Sequence, residues 1–266
     1  MTAHKKYLII NADDFAYTPG VTYGIIEAYK KGIVTSTTAL TVSDFFEEAM
    51  EIRNLLAPNL PVGVHLTLSL RGFSPLLDRE DVPTLVNAEV TFHTQYELES
   101  LVDLNEVYRE WDAQIARFYQ LGYTPDHIDS HHYVHGKNEQ LFEIAVQLCE
   151  KYKLPMRNVS PTLGSIDSPV DYGNIKSPDT ILASFYAREV TKEKLLSIID
   201  QVGASQAGTI TEMNCHPAFI DPELQKYSSY VDERVTEYAL LTAPDMFEEI
   251  KKRGIELTDF SVFHED

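Results

Sequence analysis

Short β-branched runs alternate with amphipathic stretches along most of this 266-residue chain. Such alternation is typical of strands joined by helices, and it predicts a mainly parallel sheet or barrel. The predicted strands are Tyr7–Asn11, Ser36–Val42, Val62–Leu68, Asp126–His131, Met156–Val159, Gly208–Asn214 and Glu256–Thr258. The predicted helices are Val21–Lys31, residues 44–56, Asn105–Leu121, Glu139–Tyr152, Ser177–Arg188, Lys192–Val202, Val231–Leu240 and Pro244–Arg253.

This order of elements favours one α/β domain over residues 1–266, folded as a single irregular (β/α) barrel with about seven parallel strands, a distorted TIM-like barrel. An open doubly wound sheet is the alternative, although no Gly-rich phosphate motif follows the first strand. Two segments, near 69–98 and 159–177, are rich in turn formers and lack sustained periodicity. Long segments of this kind are often functional, so we expect them to shape a cleft.

The charge balance is strongly acidic, with 41 acidic against 22 basic residues and a formal net charge of −19. That field repels phosphate backbones and anionic surfaces, so neither nucleic acid nor a membrane is an expected partner. No apolar run approaches the roughly 20 residues that span a bilayer. The N-terminus lacks the features of a secretion signal, and two cysteines are too few for a disulfide scaffold. These features predict a cytoplasmic protein.

Polar clusters lie at the ends of four of the predicted strands. In a (β/α) barrel the catalytic groups gather at the carboxyl ends of the strands, so these clusters are candidates for one shared site. They are Asn11–Asp14, Gly63–His65, His127–His132 and Asn214–Pro217.

Two of these clusters have competing interpretations. Asp13 and Asp14 are adjacent carboxylates whose repulsion a bound cation would offset; the alternative is a solvated turn in which one of them caps a helix. His65 lies in an apolar run, where a histidine taken alone is more often a hydrogen-bonded core residue than a ligand. Convergence of both segments on one barrel mouth favours the metal site.

The third cluster is the richest in histidine. Strand alternation places His127, Asp129 and His131 on one face and His132 on the other. His131, at the end of the polar face, is therefore the preferred ligand, and Asp129 is suited to orient a neighbouring histidine. The alternative is a hydrogen-bonded polar patch.

Two imidazoles and one carboxylate, from His65, His131 and Asp14, make a facial metal set that leaves coordination positions open for water and substrate. A metal there would polarise a carbonyl and lower the pKa of water. Asp13 is then placed to act as general base, and His216 to protonate a leaving group. A structural histidine is the alternative for His216. The pattern predicts metal-dependent hydrolysis.

Seven segments, spread in order over nearly the whole chain, resemble the YdjC-like carbohydrate deacetylases, and together they are highly specific. They are Asn11–Phe15, Tyr23–Ala28, Gly32–Leu40, Gly63–His65, His127–His132, Val134–His135 and Cys215–Asp221.

The resemblance implies a distorted (β/α) barrel that removes the N-acetyl group from an amino sugar or a short chitooligosaccharide, phosphorylated in some members. It implies one divalent ion, Mg²⁺ or Zn²⁺, and a homodimer that works inside the cell. By position, the metal ligands are Asp14, His65 and His131. Asp13 matches the base and His216 the acid, and Arg157 resembles a buried arginine that steadies Asp13.

Two positions depart from the family pattern. Ala16 stands where a glycine is usual, which matters if the backbone there needs a positive φ. Tyr133 stands where a histidine is usual, and we expect it to alter the substrate rim while leaving the ligands intact. Aromatic residues available to stack on sugar rings are Phe73, Tyr172 and Tyr186.

Two other functions compete with deacetylation. One is cleavage of a phosphorylated disaccharide, which generally needs two carboxyl groups separated by roughly 5–10 Å across the glycosidic bond. The other is a non-catalytic sugar-binding protein that retains the metal site. The intact Asp13 and His216 favour the enzyme.

Overall fold

The computed structural model describes residues 5–97, 102–159, 166 and 172–264, which form an α/β fold. Within these ranges the strands are β1 (Lys6–Phe15), β2 (Ser36–Ala39), β3 (Val62–Leu66), β4 (Ile128–Ser130), β5 (Thr180–Ile181), β6 (Ile210–Cys215) and β7 (Ile255–Thr258). The helices are α1 (Pro19–Lys31), α2 (Phe46–Leu56), α3 (Leu104–Gln120), α4 (Glu139–Tyr152), α5 (Lys192–Ala204), α6 (Pro222–Tyr227), α7 (Asp232–Leu241) and α8 (Met246–Lys252).

The strands form one parallel sheet with the order β4-β3-β2-β1-β6-β5. The long strand β1 is central, because β6 pairs along one side of it while β7 and then β2 pair along the other. The neighbours β1 to β4 follow chain order, as they do in a (β/α) barrel. All their carboxyl ends therefore lie at one edge of the sheet, where the site forms.

The sheet is an open half-barrel, so the prediction of a barrel is right in its strand order but wrong in its closure. Between β4 and β5, the described chain contributes one isolated bridge, from Ile128 to Met156, in place of the predicted strand Met156–Val159. A single bridge does not make a ladder long enough to close the ring.

The edge strand β5 lies inside the predicted helix Ser177–Arg188, so that prediction is wrong. Pro178 offers no backbone N–H to a helix. The next residue, Asp179, accepts a hydrogen bond from the backbone N–H of Ile210 at 2.7 Å. Pairing with β6 at Thr180 and Ile181 then determines the conformation of the segment.

The helices begin and end where their capping residues stand. Thr18 caps α1 by accepting a hydrogen bond from Val21, and Pro19 occupies its first turn, where a missing N–H costs nothing. Asp103 caps α3 in the same way. The apolar stripe of α3 is buried against the sheet, and its members are Val107, Trp111, Ile115 and Phe118. Fully burying such side chains is worth about 1.5–3 kcal/mol each.

One glycine allows β3 and β4 to approach closely. A Cβ on Gly63 would lie 2.6 Å from the ring of His127. The small residue therefore lets His127 stack on Phe260 at 3.5 Å beneath the strand that carries His65.

The two irregular segments predicted near 69–98 and 159–177 differ in how much of each one the structure describes. Residues 69–97 form an irregular segment with a small antiparallel bridge between Val86 and Phe92. Most of 159–177 lies outside the described residues, so its predicted role as a wall of the cleft is left as a prediction.

Among the helices described, none is long and apolar enough to cross a membrane.

Candidate functional site

The four polar clusters meet at a cavity of about 480 Å³ at the carboxyl ends of β1, β3, β4 and β6. Of the predicted site residues, five contribute to its lining: Asp13, Asp14, His65, His131 and His216. Asp129 and Arg157, predicted as supporting residues, are fully buried beneath it. Of the three predicted stacking aromatics, Tyr186 lines the cavity, whereas Phe73 and Tyr172 pack against the hydrophobic core.

A distortion at the end of β1 brings both aspartates to this cavity. Neighbouring side chains of a regular strand point to opposite faces, but the pairing of β1 with β2 shifts register between Ala12 and Phe15. Asp14 has a left-handed backbone with φ of 74°. The bulge therefore lets Asp13 and Asp14 line the same space.

Asp14 lies between the two predicted histidine ligands. Its Oδ1 is 3.0 Å from Nδ1 of His131 and 3.3 Å from Nε2 of His65. One ligand atom from each residue falls within 4.8 Å of the others, and all three residues are buried. Two imidazole nitrogens and a carboxylate oxygen at this spacing fit a divalent ion.

The surrounding residues hold the predicted ligands in place. Asp129 Oδ1 lies 2.7 Å from Nδ1 of His65, which directs Nε2 of that ring towards Asp14. Thr38 donates a hydrogen bond to the other oxygen of Asp129 at 2.9 Å. Burial alone would lower the pKa of His65, but the carboxylates beside it outweigh burial and raise this pKa to about 10.

A second carboxylate–histidine group, Asp13, His65 and Asp129, has similar spacing. Its two carboxylates are already engaged by Arg157, whose guanidinium lies 2.7 Å from Asp13 and 2.8 Å from Asp129. An arginine between two carboxylates repels a cation, so the group that contains Asp14 is the better candidate for a metal site.

Arg157 donates two parallel hydrogen bonds to the carboxylate of Asp13, at 2.7 and 2.8 Å. It also donates to Glu212 at 2.6 Å, so this buried cation is surrounded by three carboxylates. Burial favours the neutral form of Asp13, but Arg157 outweighs it and holds the pKa of Asp13 well below its ordinary value. Asp13 is thus held ionised and in a fixed orientation by Arg157.

His216 lies beside Asp13, at the end of β6. Its Nε2 is 3.9 Å from Asp13 Oδ2, and its ring makes edge contacts with Tyr186 and Tyr230 at centroid distances of 5.6 and 5.7 Å. Burial lowers the pKa of His216 to about 4. The ring therefore faces the predicted base across a short gap.

Helix α7 supplies two site residues that the sequence analysis missed. Arg234 donates a hydrogen bond to Asp14 Oδ2 at 2.7 Å. Burial alone would raise the pKa of Asp14, but this arginine outweighs burial and the pKa lies well below its ordinary value. Glu237 accepts a hydrogen bond from the backbone N–H of His216. Both side chains are buried. In the sequence, the one local signal for these two residues is that they stand three positions apart and so share a helix face. Charged residues on the exposed face of an ordinary helix show the same spacing.

The histidine after His131 also reaches the cavity. β4 ends at Ser130, and His132 and Tyr133 adopt left-handed conformations with φ of 53° and 57°. As a result the His132 ring lies 3.9 Å from that of His131, and its Nδ1 is 2.9 Å from the hydroxyl of Ser69. Strand alternation, which places His132 on the opposite face, is wrong here because the strand has already ended.

The two departures from the family pattern both lie at the site. Ala16 has a positive φ of 68°, the conformation for which glycine is favoured. Tyr133 lines the cavity, and its ring also lies under the guanidinium of Arg157 at 5.6 Å. Tyr133 therefore contacts the Arg157 guanidinium, which is hydrogen-bonded to Asp13.

The comparisons with known proteins agree over nearly the whole chain. The family model described as YdjC-like protein matches residues 7–252. A protein of Enterococcus faecalis (strain V583) named carbohydrate deacetylase is 50% identical over 256 residues, covering 96% of this chain and 97% of that protein. Another of the same name, from Geobacillus stearothermophilus, is 38% identical and covers 97% and 98%.

Among solved structures, an E. faecalis V583 protein superposes with a TM-score of 0.91 at 48% identity, covering 97% of this chain and 99% of that one. That protein is named for a suggested role in cellobiose-phosphate cleavage. A Streptococcus mutans CE4 esterase superposes with a TM-score of 0.52 at 12% identity, covering 96% of this chain and 86% of that one, which shows a shared fold alone.

Proposed function

Because the chain belongs to the YdjC-like family, we propose that it is a metal-dependent carbohydrate deacetylase. Its substrate is an amino sugar or a short chitooligosaccharide whose N-acetyl group is hydrolysed to acetate. The observation that carries the proposal is the arrangement of Asp13, held ionised by Arg157, opposite His216 and beside a buried set of three metal-ligand residues. The names of the two sequence relatives support the same reaction.

The three residues that would hold the ion are Asp14, His65 and His131. The chemistry that a divalent ion supplies in such a place is polarisation of a carbonyl oxygen and a lower pKa for water. Imidazole ligands suit Zn²⁺ and other transition ions, whereas Mg²⁺ prefers oxygen ligands. The donor set therefore favours a transition ion over magnesium.

Asp13 takes a proton from the water that attacks the acetyl carbon, since Arg157 keeps this carboxylate free of its own proton. A bond forms between the water oxygen and the acetyl carbon, and the carbon–nitrogen bond then breaks. That proton passes from Asp13 to Nε2 of His216, which lies 3.9 Å from Asp13 Oδ2, and from there to the departing sugar nitrogen, so both side chains end the reaction as they began it. The products are acetate and a free amine, so each atom of the water is accounted for.

The name of the structural relative favours a second candidate, cleavage of a phosphorylated disaccharide. A glycosidase of the common type needs one carboxyl group with a raised pKa as general acid and a second some 5–10 Å away. Asp13 and Asp14 are adjacent, and the arginines that they contact hold the pKa of both below the ordinary range. Neither fits the role of acid, so deacetylation is the better proposal.

A phosphorylated substrate has a candidate contact in Arg71. This side chain is exposed at the cavity wall and forms no ion pair within the ranges that the structure describes. A guanidinium suits a phosphate because it offers parallel donors. We therefore include sugar phosphates in the proposed substrate class.

The test is to incubate the metal-loaded protein with diacetylchitobiose and with its phosphorylated form. Released acetate supports the proposal, whereas released monosaccharide would show the glycosidase. Removing the ion with a chelator and restoring Zn²⁺ or Mg²⁺ separately identifies the active metal.

Asp13→Asn should lower kcat by about 10²-fold or more, since general base catalysis commonly contributes 10²–10⁴. Asp44→Asn, at an exposed carboxylate, is the matched control. If the protein binds the sugar but gives no acetate, and Asp13→Asn behaves as the unaltered protein, the non-catalytic alternative holds.

A further inference from the structure

A buried carboxylate at the site, Glu237, has no role in the mechanism above. Glu237, on α7, has no exposed surface. It accepts hydrogen bonds from the backbone N–H of His216 and from the hydroxyl of Tyr230. A buried acidic side chain with two donated hydrogen bonds is firmly placed, and its location is directly behind the proposed acid.

The His216 ring lies between two carboxylates, one on each side. Nε2 is 3.9 Å from Asp13 Oδ2, and Nδ1 is 3.9 Å from Glu237 Oε1. Nδ1 is buried and has no hydrogen-bond partner among the described residues. A shift of about 1 Å would bring Nδ1 within hydrogen-bond reach of Glu237, and such contacts often tighten when substrate binds.

We propose that Glu237 is a positioning residue, which holds the proton of His216 on Nδ1 and directs Nε2 to the substrate nitrogen. This inference rests on the proposed function, in which His216 protonates the leaving amine. A carboxylate that accepts from one imidazole nitrogen fixes both the tautomer and the orientation of the ring. It also stabilises the charge that develops when the ring is protonated.

Aromatic side chains secure this pair from the cavity side. Tyr230, the donor to Glu237, stacks on Tyr186 with ring centroids 4.4 Å apart. The guanidinium of Arg234 lies over the ring of Tyr230, 5.4 Å from its centroid. Burial raises the pKa of Glu237 to about 7. Since Glu237 has no exposed surface, a hydrogen bond that it accepts is stronger than it would be in bulk water.

The decisive measurement compares two acetyl substrates with different leaving groups. An amide must have its amine protonated to depart, whereas the nitrophenolate of p-nitrophenyl acetate departs without an acid. Glu237→Gln should lower kcat for the N-acetyl sugar by about 10²-fold with KM within about threefold, since general acid catalysis is worth 10²–10⁴. Its loss on the ester should be no more than a few-fold.

Three variants make the comparison specific. Tyr230→Phe removes the donor to Glu237 and should give a smaller loss of the same kind. Glu248→Gln, at an exposed glutamate of α8, is the matched control and should match the unaltered protein. In a His216→Ala background, adding Glu237→Gln should cost little more, because the two residues act as one unit.

A nitrogen-15 NMR spectrum gives a readout that needs no turnover. At about pH 7.5 the unaltered protein should show His216 protonated on Nδ1. In Glu237→Gln the amide group offers a donor to Nδ1, which favours the tautomer protonated on Nε2.

The outcomes separate the two proposals. Equal loss on amide and ester would show a merely structural role for Glu237, and an unchanged tautomer would also overturn the inference. If the unaltered protein releases no acetate from any N-acetyl sugar while the tautomer changes as expected, the proposed function fails but the positioning of His216 by Glu237 stands.

Discussion

The backbone at the end of β1 adopts left-handed conformations at Asp14, with φ of 74°, and at Ala16, with φ of 68°. Aspartate tolerates this region, but an alanine Cβ crowds its own carbonyl there at a cost of about 1–2 kcal/mol. The bend presents both aspartates to the cavity, so the strain belongs to the geometry of the site. The resemblance to a family with glycine at position 16 is consistent with that cost.

Ala16→Gly should stabilise the protein by about 0.5–1 kcal/mol. Glycine removes the left-handed penalty but adds about 0.4–1 kcal/mol of unfolded-state entropy, which offsets part of the gain. Chemical denaturation measures the free energy of unfolding. Ala28→Gly is the control, because Ala28 is buried in α1, where glycine costs about 1 kcal/mol. Destabilisation of similar size by both changes would contradict a strained Ala16.

At the same scale, sequence reasoning could place a residue when its own strand carried it to the site. His65 lies in β3, His131 directly follows β4, and Asp14 lies near the end of β1. Arg234 and Glu237 could not be found in this way, because Arg234 meets a partner 220 positions away in the chain. Nothing in the local pattern of α7 distinguishes a buried charge from a solvated one.

At the scale of elements, the long capped helices were predictable and the short edge segments were not. Residues 105–121 are predicted as helix, and α3 spans Leu104–Gln120 behind the cap at Asp103. The two residues of β5 are too few to show a period, and the six of α6 are scarcely better. For such segments the hydrogen bonds of distant neighbours decide the structure.

Helix α3 also holds in place the irregular segment 69–97, part of which forms one wall of the cavity. Glu110 is buried and accepts hydrogen bonds from the backbone N–H groups of Leu76 and Leu77, at 3.0 and 3.1 Å. One turn earlier, Glu106 accepts from the backbone N–H and the hydroxyl of Thr84. The segment that carries Ser69 and Arg71 to the cavity is thus tied to a helix by carboxylates.

Glu110→Gln should loosen this wall without altering the proposed acid and base. Its amide NH₂ would face backbone donors, so at least one hydrogen bond is lost, worth about 1–3 kcal/mol for a buried group. We expect KM to rise several-fold with kcat within about twofold, and the amides of Leu76 and Leu77 to exchange with deuterium faster. Glu143→Gln, at an exposed glutamate of α4, is the control. Slow exchange at both amides would contradict the role of Glu110.

At the scale of the whole molecule, β1 unites the fold, since its ten residues pair with three different strands. Because β1 is the central strand of the half-barrel, the bulge at its carboxyl end determines how the aspartates reach the cavity.

The predicted homodimer stays a prediction at this scale. Light scattering would distinguish one chain of 30.2 kDa from two.

The net charge of −19 should make stability depend on ionic strength. Excess negative charge repels itself most in the compact state, and salt screens this repulsion, since the Debye length falls from about 30 Å at 0.01 M to about 10 Å at 0.1 M. Raising NaCl from about 10 to 200 mM should therefore increase the stability of the metal-loaded protein by about 1 kcal/mol, or Tm by roughly 2–4 °C. Tetramethylammonium chloride should act equally if screening is the cause, whereas a specific cation site would respond to sodium alone. A fall in Tm would instead mean that exposed ion pairs, such as Lys192 with Asp245, outweigh the general repulsion.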